Sequence, residues 1–457
     1  MPFIRSISGV RATLENSLPP EIVKLYAEAF AQYLPEGDII IGRDGRPSGK
    51  WIEQSIAEVL KEKGRIVHLL GIVPTPTVQL IVEHTPNAVG GISITASHNP
   101  AEWNGMKFMG SDGVFLDEEE NQAFWKIADS NGFTNLNNQN GEILYRADAI
   151  EQHIKRLLEL PLFSEETLTK IRSKKYKIVV DAVNASGSIA VPKLLEHLGC
   201  NVVRLYCDSS GEFPHTPEPL PQNLSALAEE VRIRNADIGI AVDPDADRLV
   251  LVNELGETIS EEKTIVFAAQ SVLKSINYLS KYSNVIAINL STSRMIEDIA
   301  ELHNCKVNRT PVGEVNVVRN LQLNNGIFGG EGSGGVILPA CHYGRDSLVG
   351  IALLLKLMAT EGKILSELSD ELPKYEMLKT KINFSGDFDE FSAKLQSKFA
   401  GSLITRGDGI RFDIGKSWVH VRRSNTEPIV RIISESATIS EAKSLVEQVE
   451  LLYTNNS

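Results

Sequence analysis

The sequence predicts an α/β fold: three similar mixed α/β units followed by a small α+β unit. Three observations point there. Short β-branched runs alternate with segments of helical periodicity along most of the chain. The layout of strand, short loop, helix and glycine recurs near residues 37–64, 176–199 and 284–304, without the strict period of a solenoid. Beyond about residue 370 the pattern changes to two-residue alternation between turns.

The elements follow in order. "GDIIIGRD" (37–44) is a β-branched run that ends in loop residues, and "GKWIEQSIAEVLKEKG" (49–64) has apolar residues at helical spacing with a closing glycine. "RIVHLLGI" is a strand again, and "VGGISITASHNP" is a buried strand that stops abruptly. The rhythm returns at "YKIVVDAVNASG" with "SIAVPKLLEHLG", at "NADIGIAVDPDADR", and at "NVIAINL" with "SRMIEDIAELHN". Such alternation predicts largely parallel pairing. In the tail, "KTKINFSG", a helix near 388–400, the alternating runs "GIRFDI", "WVHVRR" and "IVRIIS", and a last helix "ISEAKSLVEQVELLY" predict an antiparallel sheet packed by helices. The polar stretch 129–142 and the turn beyond "NELGE" (253–257) serve as boundaries. The expected units are 1–150, 151–257, 258–370 and 371–457. At about 100–200 residues per domain, roughly two to four domains fit this length.

Composition narrows function. A net charge of −13 disfavours wholesale binding to nucleic acid or an anionic membrane, while leaving room for a local basic pocket. Cys200, Cys207, Cys305 and Cys341 form no CxxC pair, which reads as reduced thiols in a cytoplasmic protein. The start lacks the apolar stretch of a signal peptide. The best apolar run, "LVGIALLLKLMA", is too short to span a bilayer and contains Lys356.

Four stretches carry chemistry. "DPDADR" places Asp243, Asp245 and Asp247 at the end of an apolar strand. Carboxylates that close repel one another, and a hard divalent cation such as Mg²⁺ removes the conflict. A solvated acidic turn is the bland alternative. A calcium EF-hand fails, because Arg248 stands where its loop needs glycine. Mg²⁺ shares its open positions with phosphate oxygens, which bears on "TASHNP". Ser97 there is a weak nucleophile without help. His98 is not an obvious base for it, since neighbours on an extended chain point apart. A serine that carries a phosphoryl group near the metal is the stronger reading. "GGEGSGG" (329–335) sets Glu331 and Ser333 among glycines, a backbone able to approach sugar hydroxyls closely. "RRSNTEPIVR" (422–431) offers Arg422, Ser424, Asn425, Thr426 and Arg431 as a phosphate cradle, or a plain hairpin turn.

Together, in this order and over nearly the whole chain, the four stretches resemble the α-D-phosphohexomutases: phosphoglucomutase, phosphomannomutase and phosphoglucosamine mutase. The likeness is greatest to the bacterial phosphoglucosamine mutase-like branch. "ISGVRATL" and "RTPVGEVNVVRN" (309–320) resemble that family's N-terminal arginine segment and a substrate loop of its third domain. The resemblance implies four domains around a central cleft. It also implies transfer of a phosphoryl group between O1 and O6 of a hexose through phospho-Ser97 and a hexose 1,6-bisphosphate. One Mg²⁺ per chain would sit on Asp243, Asp245, Asp247 and the Ser97 phosphate. Arg11, Lys107, Arg248 and His98 would serve the reacting phosphate, Glu331 and Ser333 the sugar, and the 422–431 segment the distal phosphate. The partner implied is a small phosphosugar: glucosamine, glucose or mannose phosphate. Gly335 stands where many members have histidine, which leaves His342 of "CHYGRD" as the nearest histidine to stand in. Ala12 and Arg423 also depart from the usual glycine and proline. A Mg²⁺-dependent sugar phosphatase and a non-catalytic sugar-phosphate-binding protein are the rival readings.

Overall fold

A computed structural model describes residues 3–15, 17–130, 141–275, 280–424 and 428–454. Among the described residues four sheets succeed one another, of seven, five, four and five strands. In each of the first three, a parallel centre is built by strand–helix–strand crossovers. Ile39 of Asp38–Arg43 pairs with Val67 and Gly90 in neighbouring parallel strands. Ile178–Asp181 lies parallel to Ile238–Ala241, and Ser283–Asn289 is parallel to strands on both sides. These central strands are buried on both faces, so they read as continuous apolar runs such as Ile238–Val242.

The pairing is less parallel than the alternation predicts. Each of the first three sheets turns antiparallel at a hairpin: Ala88–Ile94 to Trp103–Gly110, Ile238–Val242 to Leu249–Val252, and Gly326–Glu331 to Gly335–Ile337. The physical reason is the short loop. Without a helix to cross over, the chain can only fold back on the strand it has just left. Those three loops are "TASHNP", "DPDADR" and "GEGSGG". The fourth stretch lies at the hairpin between Ser417–Arg423 and Ile429–Ser436.

One apolar core runs through the first three units, from Ile40 to Leu372, while the last unit has its own core around Phe384, Phe412, Val430 and Val449. Its antiparallel sheet is packed by the helices Phe388–Lys398 and Ile439–Thr454. Among the described residues no helix is long and apolar enough to cross a membrane. The 131–140 part of the polar stretch read as a boundary lies outside the described residues.

Candidate active site

Ser97 sits in the first hairpin with φ +50°, in the left-handed region that non-glycine residues seldom occupy. Neighbouring side chains impose that conformation. The Ser97 amide donates to Thr95 Oγ1 at 2.8 Å, and Thr95 Oγ1 donates to Asp44 Oδ2 at 2.7 Å. Arg46, wholly buried, donates to the carbonyls of Ser97, Asn99, Pro100 and Trp103 at 2.6–3.0 Å and to Asp44 Oδ2 at 2.9 Å. Its guanidinium lies 4.8 Å from the Phe213 ring centroid. One fork thus ties down the loop that presents Ser97.

The left-handed turn corrects the expectation about His98. The backbone is not extended there, so His98 Nδ1 comes within 3.2 Å of Ser97 Oγ. Arg248 above all, and then burial, push the imidazole down to about 2, so His98 is neutral and its Nδ1 can accept from the hydroxyl. Asp243 Oδ2, 3.4 Å from Ser97 Oγ, is the alternative acceptor for the same single hydroxyl proton.

The second hairpin turns at Ala246, with φ +51°. It buries Asp243, Asp245 and Asp247 almost completely, with one carboxylate oxygen from each within 4.8 Å of the others. Asp243 Oδ1 accepts from the Arg248 amide at 3.1 Å. Asp245 Oδ2 accepts from Lys107 Nζ at 2.6 Å and Thr75 Oγ1 at 3.1 Å, and Asp247 Oδ2 accepts from Arg345. Asp245 Oδ1 and Asp247 Oδ1 are buried without a hydrogen-bond partner. Burial, then the like charges of Asp247 and Asp245, hold the Asp243 carboxyl well above the usual range. Burial opposes ionisation of Asp245 too, but the adjacent Lys107 ammonium holds it down to about 2. An all-oxygen set, three acidic groups and two orphaned oxygens fit a hard divalent cation such as Mg²⁺. A second buried group, His153, Cys341 and Asp346, also clusters. There Asp346 Oδ2 already takes both His153 Nε2 and His342 Nε2, at 2.8 and 3.1 Å.

That contact turns His342 inward and away from the cleft, so it does not stand in beside Gly335. Arg345 does. Its side chain crosses the face of Gly335, where an added Cβ would lie 2.3 Å from Arg345 Cδ. Glu331 ends its strand with Oε1 accepting from Asn289 Nδ2 at 2.8 Å and the Gly313 amide at 3.0 Å, and Oε2 from Arg345 Nη1 at 2.8 Å.

Two adjoining cavities make one cleft. The first, about 160 Å³, is lined by Arg11, Ser97, His98, Lys107, Arg248 and Glu331. The second, about 460 Å³, shares His98, Arg248, Glu331 and Arg345 and extends past Ser333 to Arg422 and Arg431. Arg11 reaches Asn99 Oδ1 at 3.1 Å. Arg422 and Arg431 are direct cross-strand partners, an arrangement that like charges destabilise unless an anion lies between or beside them. Asp408 Oδ2 accepts from Arg422 at 3.0 Å. Ser424 is buried, its amide donating to the Ile429 carbonyl at 2.9 Å. Asn425 and Thr426 lie outside the described residues. Sequence reasoning missed Arg46, Arg345, Glu314, which accepts from Arg345 Nε at 3.0 Å, and Glu218, which lies 3.7 Å from Arg248 Nη1. Each is a single charged residue in a loop or at a helix start, and only the fold shows what it faces.

Residues 4–135, 151–256, 260–375 and 384–452 match, in turn, the α/β/α domains I, II and III and the C-terminal domain of phosphoglucomutase/phosphomannomutase. The chain belongs to that family. A "Phosphoglucomutase/phosphomannomutase" of Thermococcus kodakarensis is 36% identical over 448 residues, covering 96% of each chain. A "Probable phosphoglucosamine mutase" of Methanopyrus kandleri is 31% identical over 445 residues, covering 96% of this chain and 95% of that one. The crystal structure of a phosphoglucomutase/phosphomannomutase family protein from Burkholderia thailandensis has the same fold. Its TM-score is 0.82 at 24% identity, with 98% of this chain and 97% of that chain covered. The protein is thus an enzyme of the phosphohexomutase class, an isomerase that moves a phosphoryl group.

Proposed function

We propose that the enzyme interconverts hexose 1-phosphate and hexose 6-phosphate with Ser97 as the phosphoryl carrier, acting on glucosamine, glucose or mannose phosphate. One observation supports this above others. Ser97 Oγ lies 3.4 Å from Asp243 of the triple-aspartate cluster, at one end of a cleft whose other end holds Arg422 and Arg431. Phosphoryl transfer is mostly positioning and charge neutralisation. Asp243, Asp245 and Asp247 would hold one Mg²⁺, which when bound would offset the charge of a phosphoryl group on Ser97.

The chain's own groups account for the rest. Phospho-Ser97 gives its phosphoryl group to the free O6 or O1 hydroxyl of the sugar. The Ser97 Oγ–P bond breaks, a sugar O–P bond forms, and the hydroxyl proton ends on Ser97 Oγ. His98 Nδ1 orients that hydroxyl. Lys107, Arg11 and Arg248 surround the reacting phosphate with positive charge. Glu331 and Ser333 grip sugar hydroxyls, and Arg422 and Arg431, with Ser424, Asn425 and Thr426, take the distal phosphate. The resulting hexose 1,6-bisphosphate turns end for end and returns its other phosphoryl group to Ser97.

The test is a panel of glucosamine, glucose and mannose 1-phosphates with Mg²⁺ and a trace of hexose 1,6-bisphosphate. At least one should be isomerised with little inorganic phosphate. Phosphate release as fast as isomerisation would make the enzyme a sugar phosphatase instead. Binding without turnover of any of them would leave it a sugar-phosphate-binding protein.

A further inference from the structure

Arg345 joins parts of the cleft that come from distant segments. Its guanidinium donates through Nε to Glu314 Oε2 at 3.0 Å, through Nη1 to Glu331 Oε2 at 2.8 Å and through Nη2 to Asp247 Oδ2 at 2.5 Å. Glu314 opens the helix Glu314–Asn324, Glu331 ends a strand of the third sheet, and Asp247 belongs to the hairpin of the second. Arg345 itself is buried and lines both cavities. Its stem occupies the space beside Gly335. The three atoms nearest to a Cβ built there are Arg345 Cδ, Cγ and Cβ, at 2.3, 2.9 and 3.3 Å.

We propose that Arg345 is a positioning residue for phosphoryl transfer, fixing the Glu331 carboxylate against Asp247 so that a sugar on Glu331 stays in register with the cluster beside Ser97, and that Gly335 lacks a side chain to make room for it. This rests on the reading of the cleft given above. Two consequences follow from charge and shape. A guanidinium bonded to Asp247 competes with a cation for the same carboxylate, so removing it tightens Mg²⁺ binding while losing the register slows turnover. A residue that only stabilised the fold would weaken both. Side-chain atoms added at Gly335 act through Arg345, because its stem is what they meet.

The experiment compares wild type with Arg345→Ala, Arg345→Lys, Gly335→Ala and the Gly335→Ala/Arg345→Ala double variant. Mg²⁺ affinity is measured by calorimetry on dephosphorylated protein and kcat by isomerisation of hexose 1-phosphate. Arg345→Ala should bind Mg²⁺ at least about three-fold more tightly, as loss of a neighbouring positive charge requires. Its kcat should fall by about 100-fold, the scale of a misplacement near 1 Å. Arg345→Lys keeps the charge but loses the fork, so Mg²⁺ affinity should stay within about two-fold of wild type while kcat falls. Gly335→Ala should lower kcat in the wild type but cost nothing further in the Arg345→Ala background. Weaker Mg²⁺ binding in Arg345→Ala, unchanged kcat in Arg345→Lys, or an equal cost of Gly335→Ala in both backgrounds would overturn the proposal. Should Arg345→Ala fail to fold, the lysine and Gly335→Ala variants decide by the same kcat criterion. Should the wild type isomerise no hexose phosphate, the functional reading fails alone, and the Mg²⁺ affinities still judge Arg345.

Discussion

Arg46→Lys is a sharp test of how the loop around Ser97 is built. Arg46 makes four hydrogen bonds to the carbonyls of Ser97, Asn99, Pro100 and Trp103 and a fifth to Asp44. An ammonium has only three donors and no planar fork, so at least two of these bonds are lost. Hydrogen bonds to a charged group contribute about 1.5–3 kcal/mol each, so the loss is about 3–6 kcal/mol. It falls on a loop already held at φ +50°, which is therefore released before the rest of the fold. At 1.4 kcal/mol per factor of ten, the population that presents Ser97 correctly drops by roughly 10² to 10⁴. The assay is the initial rate at which hexose 1,6-bisphosphate phosphorylates Ser97, read by intact mass, alongside amide exchange of residues 95–103 and Mg²⁺ calorimetry. Phosphorylation should slow by that factor and exchange should rise locally, while Mg²⁺ affinity stays as in wild type. A wild-type phosphorylation rate would refute the argument that Arg46 holds the loop.

Three further outcomes are expected. EDTA should abolish turnover without unfolding the protein, whose main apolar core runs through three of its units, and Asp245→Asn should weaken Mg²⁺ binding in calorimetry by at least about ten-fold, since one ligand charge is lost. Arg422→Ala should raise KM for hexose 1-phosphate by about ten- to 100-fold, the loss of one charge-assisted contact of about 1.5–3 kcal/mol, with Mg²⁺ affinity unchanged in the same preparation. His420 accepts from Ser291 Oγ and donates to the Asp408 carbonyl, and burial pushes it down to about 3. A depressed folded value means its contribution is fully present above the unfolded value of about 6.5 and is lost as pH falls from there toward 3. The slope is about 1.4 kcal/mol per pH unit. Urea denaturation of His420→Gln should therefore lack about 2 kcal/mol of the wild-type loss between pH 6.5 and 4.5; parallel pH profiles would contradict the burial of a neutral imidazole.

Much of the site was legible in the sequence because its groups lie on short loops at the ends of apolar runs, where charged or hydroxyl residues have no packing reason to be. The triple aspartate, the glycine-flanked Glu331 and the arginine-bearing hairpin all stand out that way. What stayed hidden depends on backbone conformation or on distant partners. A left-handed serine has no signature of its own, so the approach of His98 to Ser97 could not be read. Arg46 and Arg345 lie 51 residues before Ser97 and 98 residues beyond Asp247 along the chain, and nothing local tells either from a surface arginine. His342 was misplaced because its partner, Asp346, lies four residues on at the cap of the next helix and draws it inward. The antiparallel returns were masked by the same loops that made the motifs visible.

The most direct measurement is made on the purified protein treated with Mg²⁺ and hexose 1,6-bisphosphate, then analysed by intact mass and peptide mapping before and after addition of hexose 1-phosphate. One phosphoryl group should appear on Ser97 and pass to the added hexose 1-phosphate, with Ser97 phosphorylated again by the substrate's own phosphoryl group as hexose 6-phosphate forms, and Ser97→Ala should neither be labelled nor isomerise. A phosphoryl group on another residue, or full isomerisation by Ser97→Ala, would contradict Ser97 as the carrier.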